Sequence, residues 1–333
     1  MKFWLRSIFA LIIGAGVLTP LPANAAPNLI EVQGRVRDLQ EQATTAAEGA
    51  QEAKVQLAKL KKTLSSVQQQ ASQQGASVDA LNKTIGAIAN ERYKSGPVSQ
   101  SMELLFSSDP SLYLSAAGSL EAVTRQKTAD LKKFSVATQR LNATSLTVED
   151  KLAMVKAAEA KFTRQLALAN SKLKEAEELL AKLTVAERER LAKLNDDEED
   201  ADQQKSLSDA NKYAGVSGRG GTAIKYALAQ IGDKYVFGAA GLVTWDCSGL
   251  TMRAFAAAGV SLPHSSKAQY GYGKAIAKKD LQPGDLVFFG KPISHVAIYL
   301  GPDRMLHAPR SGSRVKIANM NMGKKPYIGA RRL

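Results

Sequence analysis

Two stretches of this chain carry apolar residues at alternating steps of four and three, and that periodicity constrains the fold more than any other feature. The first seam runs from Val32 through Val36, Leu39, Ala43, Ala46, Ala50, Ala53, Leu57, Leu60, Leu64 and Val67 to Ile85, Ile88 and Arg92, broken in character only at Gln74 and Arg92. The second runs from Leu131 through Phe134, Leu141, Ser145, Val148, Leu152, Val155, Glu159, Phe162, Leu166 and Leu173 to Leu180 and Leu183. A repeat near 3.5 held over many heptads keeps one stripe facing a partner, so two long coiled-coil helices are predicted. Ser95-Gly96-Pro97, Ser107-Ser108-Asp109-Pro110 and Ala116-Ala117-Gly118 interrupt the pattern between them, and the chain must turn there. The simplest arrangement is an antiparallel hairpin roughly 85 Å long at about 1.5 Å per residue, with a helical tip near residues 95–120. A parallel homodimer satisfies the heptads equally well. Around Met102 to Leu114 the tip is more apolar than a solvated turn requires, which suits either a small core of its own or a partner contact.

The N-terminus places the chain outside the cytoplasm. Lys2 and Arg6 precede an apolar run from Ile8 to Leu18, and Ala23-Asn24-Ala25 forms a small-residue cleavage site. Residues 1–25 therefore read as a secretory signal peptide. The apolar run is shorter than the roughly 20 residues a membrane span needs. The remainder divides into a coiled-coil region, 27–195, a linker, 196–220, opening with Asp196-Asp197-Glu198-Glu199-Asp200, and a C-terminal domain, 221–333. Charge is uneven: residues 221–333 hold 16 Lys and Arg against 5 Asp and Glu, a net +11, whereas residues 1–220 hold 29 against 26, a net +3. A basic exported domain meets wall polyanions, peptide carboxylates or anionic headgroups. Nucleic acid is a poor match, because no helix-turn-helix, finger or aromatic RNA-binding signature accompanies the charge.

The one cysteine, Cys247, cannot form an internal disulfide, which leaves intermolecular pairing, a passive buried thiol or a reactive one. Cys247 to Gly259 has helical apolar spacing and a glycine stop, so Cys247 sits in the first turn of a helix, where a thiolate is favoured. All three histidines lie downstream, and two of them, His295 and His307, fall on neighbouring strands. Ile293 to Leu300 alternates as a strand with His295, Ala297 and Tyr299 on one face, Gly301-Pro302-Asp303 turns, and Met305 to Ala308 returns. A hairpin centred near Gly301 sets His295 and His307 opposite one another, within imidazole-to-imidazole hydrogen-bonding reach. In this arrangement Cys247 is the nucleophile, His295 its general base and acid, and His307 the group that orients His295. The Cys247 N–H can stabilise an oxyanion. The chemistry needs no metal or cofactor, although three ligands of these types could also hold zinc.

Tyr235, Asp246-Cys247-Ser248-Gly249, Leu281 to Phe289, His295 to Gly301 and Leu306-His307-Ala308 occur in the order that resembles the NlpC/p60 family of papain-fold cell-wall peptidases. The resemblance implies an α+β, papain-like catalytic domain behind a long all-α antiparallel coiled-coil hairpin. It implies a secreted cysteine endopeptidase that cleaves peptidoglycan stem peptides between D-glutamate and a diamino acid. It also implies that the Tyr235 hydroxyl lies beside the oxyanion and that Asp246 and Ser248 meet polar groups of the substrate. His264 stands where relatives commonly carry arginine, which puts the local substrate contacts in question. A coiled coil before such a domain is similar to septal hydrolases of Gram-positive bacteria, including RipC-type actinobacterial ones. That architecture implies daughter-cell separation and docking of the coiled coil on an FtsEX-type membrane division complex. Two other readings stay open: a noncatalytic adaptor that holds peptidoglycan and activates another hydrolase, and an acyltransferase or amidase on a related fold. The linker would let the rod fold back over the catalytic cleft, its acidic run facing a basic domain.

Overall fold

The computed structural model describes residues 28–95 and 110–333. The signal segment and Met102 to Phe106 lie outside the described residues. Helix α1 spans Leu29–Ser95 (67 residues) and α2 spans Pro110–Ala181 (72 residues), packed side by side along the shared stretch. Lys61 pairs with Glu159 at 2.8 Å, Lys161 with Glu52 at 3.5 Å, and Val32, Val36 and Leu39 cluster with Ala176 and Leu183. Partners early in α1 meet residues late in α2, so the hairpin is antiparallel and closes within one chain.

The first seam lies where the heptads place it, buried or half-buried from Val32 to Ile88. The second is partly displaced. Its positions at strict seven-residue intervals, Leu141 to Leu183, face the partner, and of the intermediate ones Thr138, Glu159, Leu166, Leu173 and Leu180 are half-buried as placed, but two shift by a residue: Thr144 and Lys151 are half-buried, while Ser145 is exposed and Leu152 is 41% exposed. Leu131, the expected start, is 55% exposed. An apolar identity outweighed geometry in reading Leu152, whereas steps of three then four and four then three fit a helical stripe equally.

Residues 196–210 are not linker. They form the second half of α3, Val185–Ala210, which starts at a capping box: the Thr184 hydroxyl accepts from Glu187 N (3.2 Å) and the Glu187 carboxylate accepts from Thr184 N (2.8 Å). Two otherwise orphaned donors are thus satisfied. The helix docks one face on the C-terminal domain: of the acidic run, Glu199 pairs with Lys316 (2.9 Å) and Asp200 with Arg314 (3.5 Å), while Glu198 pairs with Arg37 of α1 and Asp196 and Asp197 are exposed; farther along, Asp202 pairs with Lys316 (2.7 Å) and Asp209 with Arg304 (2.9 Å).

The C-terminal domain is α+β. After α4 (Gly218–Leu228), β1 (Lys234–Tyr235) and β2 (Thr244–Trp245) form a short parallel pair. Helix α5 (Cys247–Ala257) and the single turn α6 (Ser266–Gln269) follow. Strands β3 (Lys274–Ile276), β4 (Leu286–Phe289), β5 (His295–Gly301), β6 (Arg304–His307), β7 (Lys316–Asn319) and β8 (Tyr327–Arg332) make an antiparallel sheet in the order β3-β8-β4-β5-β6-β7. One core joins α4 and α5 to Leu286, Phe288, Val296, Ile298 and Leu306. The opposite face gathers Val287, Phe289, Ala297, Met305 and Ala330. The edge of β7 is covered by α3, where Ser206 Oγ accepts from Ile317 N (3.0 Å), so this edge is closed to further pairing.

Candidate active site

Cys247 opens α5 because Asp246 caps it. One Asp246 oxygen accepts from Gly249 N (2.6 Å) and the other from Gly238 N (2.9 Å), tying the helix start to the preceding loop. A Cβ at position 249 would collide with the Ala239 carbonyl, so this approach requires glycine. Tyr235 is held near by pairing of β1 with Trp245 in β2. Its buried hydroxyl has no directed hydrogen bond, with Thr44 of α1 beside it.

The histidines reach each other by a different route from the one expected. Ile298 pairs with Leu306 and Tyr299 with Met305, and a register shift then sets Gly301 against Arg304. Continuing that register puts His307 beside Ala297, so His295 and His307 are diagonal rather than opposite. The turn is centred at Pro302-Asp303, where Asp303 adopts φ 54°. Both rings still lie on one face, perpendicular at 86°, with His295 Nε2 2.9 Å from His307 Nδ1. His295 Nδ1 and His307 Nε2 are buried without partners. Burial pushes both imidazoles toward the neutral form. His295 falls well below its ordinary value, helped by the charges of His307 and Lys325, and His307 falls to about 3, helped by Lys316 and Lys325.

The thiol is not hydrogen-bonded to His295. It donates to Glu48 of α1, Sγ to Oε1 at 3.3 Å, and Glu48 also accepts from Ser248 Oγ (2.7 Å), Ser266 Oγ (2.7 Å) and Ser266 N (2.9 Å). A carboxylate from the rod thus fills the space above the cysteine, with Glu48 itself buried. Burial, with the Asp246 charge, raises the Glu48 carboxyl above its ordinary value. Burial, with Glu48 and Asp246, likewise pushes the Cys247 thiol well up. The thiolate expected from the helix N-terminus is therefore suppressed in this closed arrangement, because burial, reinforced by two carboxylates, outweighs the partial charge of one helix end.

Around Glu48, α1 is buried on nearly every side from Ala43 to Ala53. Small residues permit this: Gly49 faces Gln165 of α2 while Ala47 and Glu48 face the catalytic domain. The cover over the cleft is α1, not the acidic run of α3. Sequence reading missed Glu48 because it lies off the heptad seam. The available signal was the run of small residues from Ala43 to Ala53, whose minimal side chains suit a helix sandwiched between two partners.

His264 contacts both oxygens of Asp246 (2.9 and 2.8 Å). Burial works against its charge, but the hydrogen bond and charge of Asp246 outweigh it, and the pKa is raised. Among the described residues, no group of three or more His, Cys, Asp or Glu side chains is arranged to hold a metal ion.

With this geometry in view, the NlpC/P60 family model matches residues 232–332, and the C-terminal domain is of that type. The probable endopeptidase Rv2190c of Mycobacterium tuberculosis is 41% identical over 118 residues, covering 35% of this chain and 30% of the relative. The peptidoglycan endopeptidase RipA of the same organism is 38% identical over 120 residues, covering 32% of this chain and 25% of the relative. A solved structure of Rv1477, described as a hypothetical invasion protein of Mycobacterium tuberculosis, is 34% identical, covering 34% of this chain and 61% of that one, with a TM-score of 0.32. The alignments to the two curated relatives thus span less than a third of their length.

Proposed function

We propose that this chain is a secreted peptidoglycan endopeptidase, that Cys247, His295 and His307 perform the hydrolysis, and that α1 holds the enzyme closed until the rod is displaced. The observation that carries the reading is the 2.9 Å bond from His295 Nε2 to His307 Nδ1, which leaves His295 Nδ1 free. For that nitrogen to act as a base, the ring proton sits on Nε2 and is donated to His307. His307 therefore sets the tautomer. Once Glu48 withdraws, the Cys247 proton passes to His295 Nδ1 and the sulfur attacks the amide carbonyl. The tetrahedral oxyanion is met by the Cys247 N–H and the Tyr235 hydroxyl. His295 then returns the proton to the departing amine, and water, deprotonated by His295, hydrolyses the thioester.

The Glu48 cradle supports the assignment of the bond. Ser248 and Ser266 hold a carboxylate next to the nucleophile, and a γ-linked D-glutamyl residue carries a free α-carboxylate close to its scissile carbonyl. The adjacent position is a diamino acid. The signal segment and the coiled coil support action in the cell wall during daughter-cell separation, in the manner of RipC-type hydrolases, with an FtsEX-type complex as the agent that pulls on the hairpin. Mass spectrometry of products from defined muropeptides, using the chain without residues 1–25 and its Glu48→Ala variant, tests the reading. A water-derived carboxyl and a new amine at the D-glutamyl bond are expected. Loss of ammonia would indicate an amidase, transfer to a second amine an acyltransferase, and no change of mass an adaptor.

A further inference from the structure

Where α1, α3 and the C-terminal domain meet, they enclose a cavity of about 90 Å³. It is bordered by Gln33 to Gln40 on α1, by Asn195 and Glu199 on α3, and by Arg310 and Gly312 in the turn that follows β6. Such a volume holds several waters or one tetrahedral oxyanion.

The lining has its acceptors filled and its donors in surplus. Asn195 Oδ1 accepts from Gln33 Nε2 (2.8 Å) and Arg37 Nη2 (3.3 Å), and Gln40 Oε1 accepts from Arg310 Nη1 (2.9 Å). Glu199 accepts from Ser313 Oγ (2.8 Å), Lys316 Nζ (2.9 Å) and Arg314 N (3.2 Å). By contrast, Arg37 Nε is buried without a partner. Arg310 bonds only through Nη1, which also donates to Ser311 O (3.3 Å), although a guanidinium offers five N–H donors. Positive charge is in surplus as well. Arg37 pairs with Glu198 and Glu199 with Lys316, whereas half-buried Arg310 has no ion pair among the described residues. Burial and then the Arg37 charge lower the Arg310 pKa, against the opposing pull of Glu199, Glu41 and Glu198. Water could satisfy the orphaned N–H but not the charge; an anionic acceptor satisfies both.

We propose that this junction binds a small free oxyanion of the phosphate class between Arg37 and Arg310, and that the anion locks α1 against the catalytic domain. Gln40 lies eight residues, about 12 Å, before Glu48 on the same helix, so pinning α1 at the junction keeps Glu48 over Cys247. The cavity exists only while α1, α3 and the turn at Arg310 are together, so an anion held there favours the closed state by mass action. The locking role rests on the reading that α1 closes the cleft, whereas the site itself does not.

The test titrates the chain without residues 1–25 with inorganic phosphate in a calorimeter, at ionic strength held constant with chloride, and one site is expected. At ten times its Kd, phosphate should slow iodoacetamide alkylation of Cys247 about tenfold, because only the closed form binds it. Arg37→Gln and Arg310→Gln should each weaken binding about tenfold or more, as expected for losing a hydrogen bond to a charged group. Alkylation is read as the ratio with and without phosphate, so a rod loosened by the substitution does not count. Arg310→Lys keeps the charge without the planar fork; should Arg310→Gln not fold, this variant is expected to bind more weakly than the parent. Poly(glycerol phosphate) should have no effect, since a polymer cannot enter the closed junction, and slowing by the polymer alone would overturn the small-anion assignment. Absence of binding, or binding unchanged in every arginine variant, overturns the site. Binding without slowing overturns the lock if Glu48→Ala still alkylates faster than the parent; if Glu48→Ala is no faster, the closed-state reading fails and the site stands.

Discussion

Removing the Glu48 carboxylate should open the enzyme. Glu48 accepts four hydrogen bonds in the closed form, three of them at 2.7 to 2.9 Å from Ser248 and Ser266. A typical buried hydrogen bond contributes about 1 kcal/mol net, and burying a carboxylate beside Asp246 offsets part of the total. The loss from Glu48→Ala is thus about 2 to 3 kcal/mol of docking free energy, which corresponds to roughly a 30- to 150-fold rise in the open-to-closed ratio. If the closed form dominates the parent chain, muropeptide hydrolysis by the full rod-bearing protein should rise by a comparable factor, up to the ceiling set by a fully open enzyme. Alkylation of Cys247 by iodoacetamide provides a second reading independent of substrate, and should accelerate in parallel. Glu48→Gln should open the site less than alanine, since the amide keeps one acceptor oxygen but turns an NH2 toward the Ser266 donors. Unchanged hydrolysis and unchanged alkylation in a Glu48→Ala protein with the parent unfolding profile would refute the view that this carboxylate holds the cleft shut.

Cys247→Ala should abolish turnover while leaving thermal unfolding within a few degrees of the parent, His295→Ala should be nearly as severe, and His307→Ala should retain more activity, all measured against Glu48→Ala; a His307 variant more damaged than the other two would overturn the role assignment. The raised pKa of His264 means that its pairing with Asp246 is complete below about pH 6.5 and is lost as pH rises through the docked value. Glu48 and Asp246 then face each other without that cation, so Cys247 alkylation in the parent, relative to Glu48→Ala, should increase as pH rises above about 6.5 and through the raised His264 value, and His264→Arg should flatten the rise. Lys316, with a side chain 12% exposed, joins Glu199 and Asp202. Lys316→Ala leaves both acids near the domain surface without their cation and should destabilise α3 docking by about 2 to 3 kcal/mol, seen as a lower or split calorimetric transition.

The segments rich in local pattern were legible before any coordinates. The hairpin follows from seams that cannot be buried any other way within one chain, and Cys247 to Ala257 is a helix because Asp246 caps it and apolar residues recur behind it. Strand β4 lies where its four apolar residues lie, and β5 where its alternation lies. Strands β3, β7 and β8 were not legible: β8 inserts between β3 and β4, pairings remote in sequence that no local period encodes. The acidic stretch of α3 was misread because a charge run resembles a solvated linker until a basic strand is seen beneath it. Its capping box, Thr184 to Glu187, was the local signal that outweighed the charge.

What the sequence by itself determined is the chemistry and its carriers: a lone cysteine at a helix start, two histidines on neighbouring strands, and a rod long enough to reach them. These depend on residue type, short-range spacing and periodicity. What only the tertiary structure decided is the state of that chemistry. Whether Cys247 is a thiolate or a protonated thiol depends on Glu48, 199 residues away along the chain, and whether His295 meets His307 depends on a diagonal register rather than on a direct pair. Coulomb and desolvation energies depend on distance through space and on the exclusion of water, and neither is a property of neighbours in sequence.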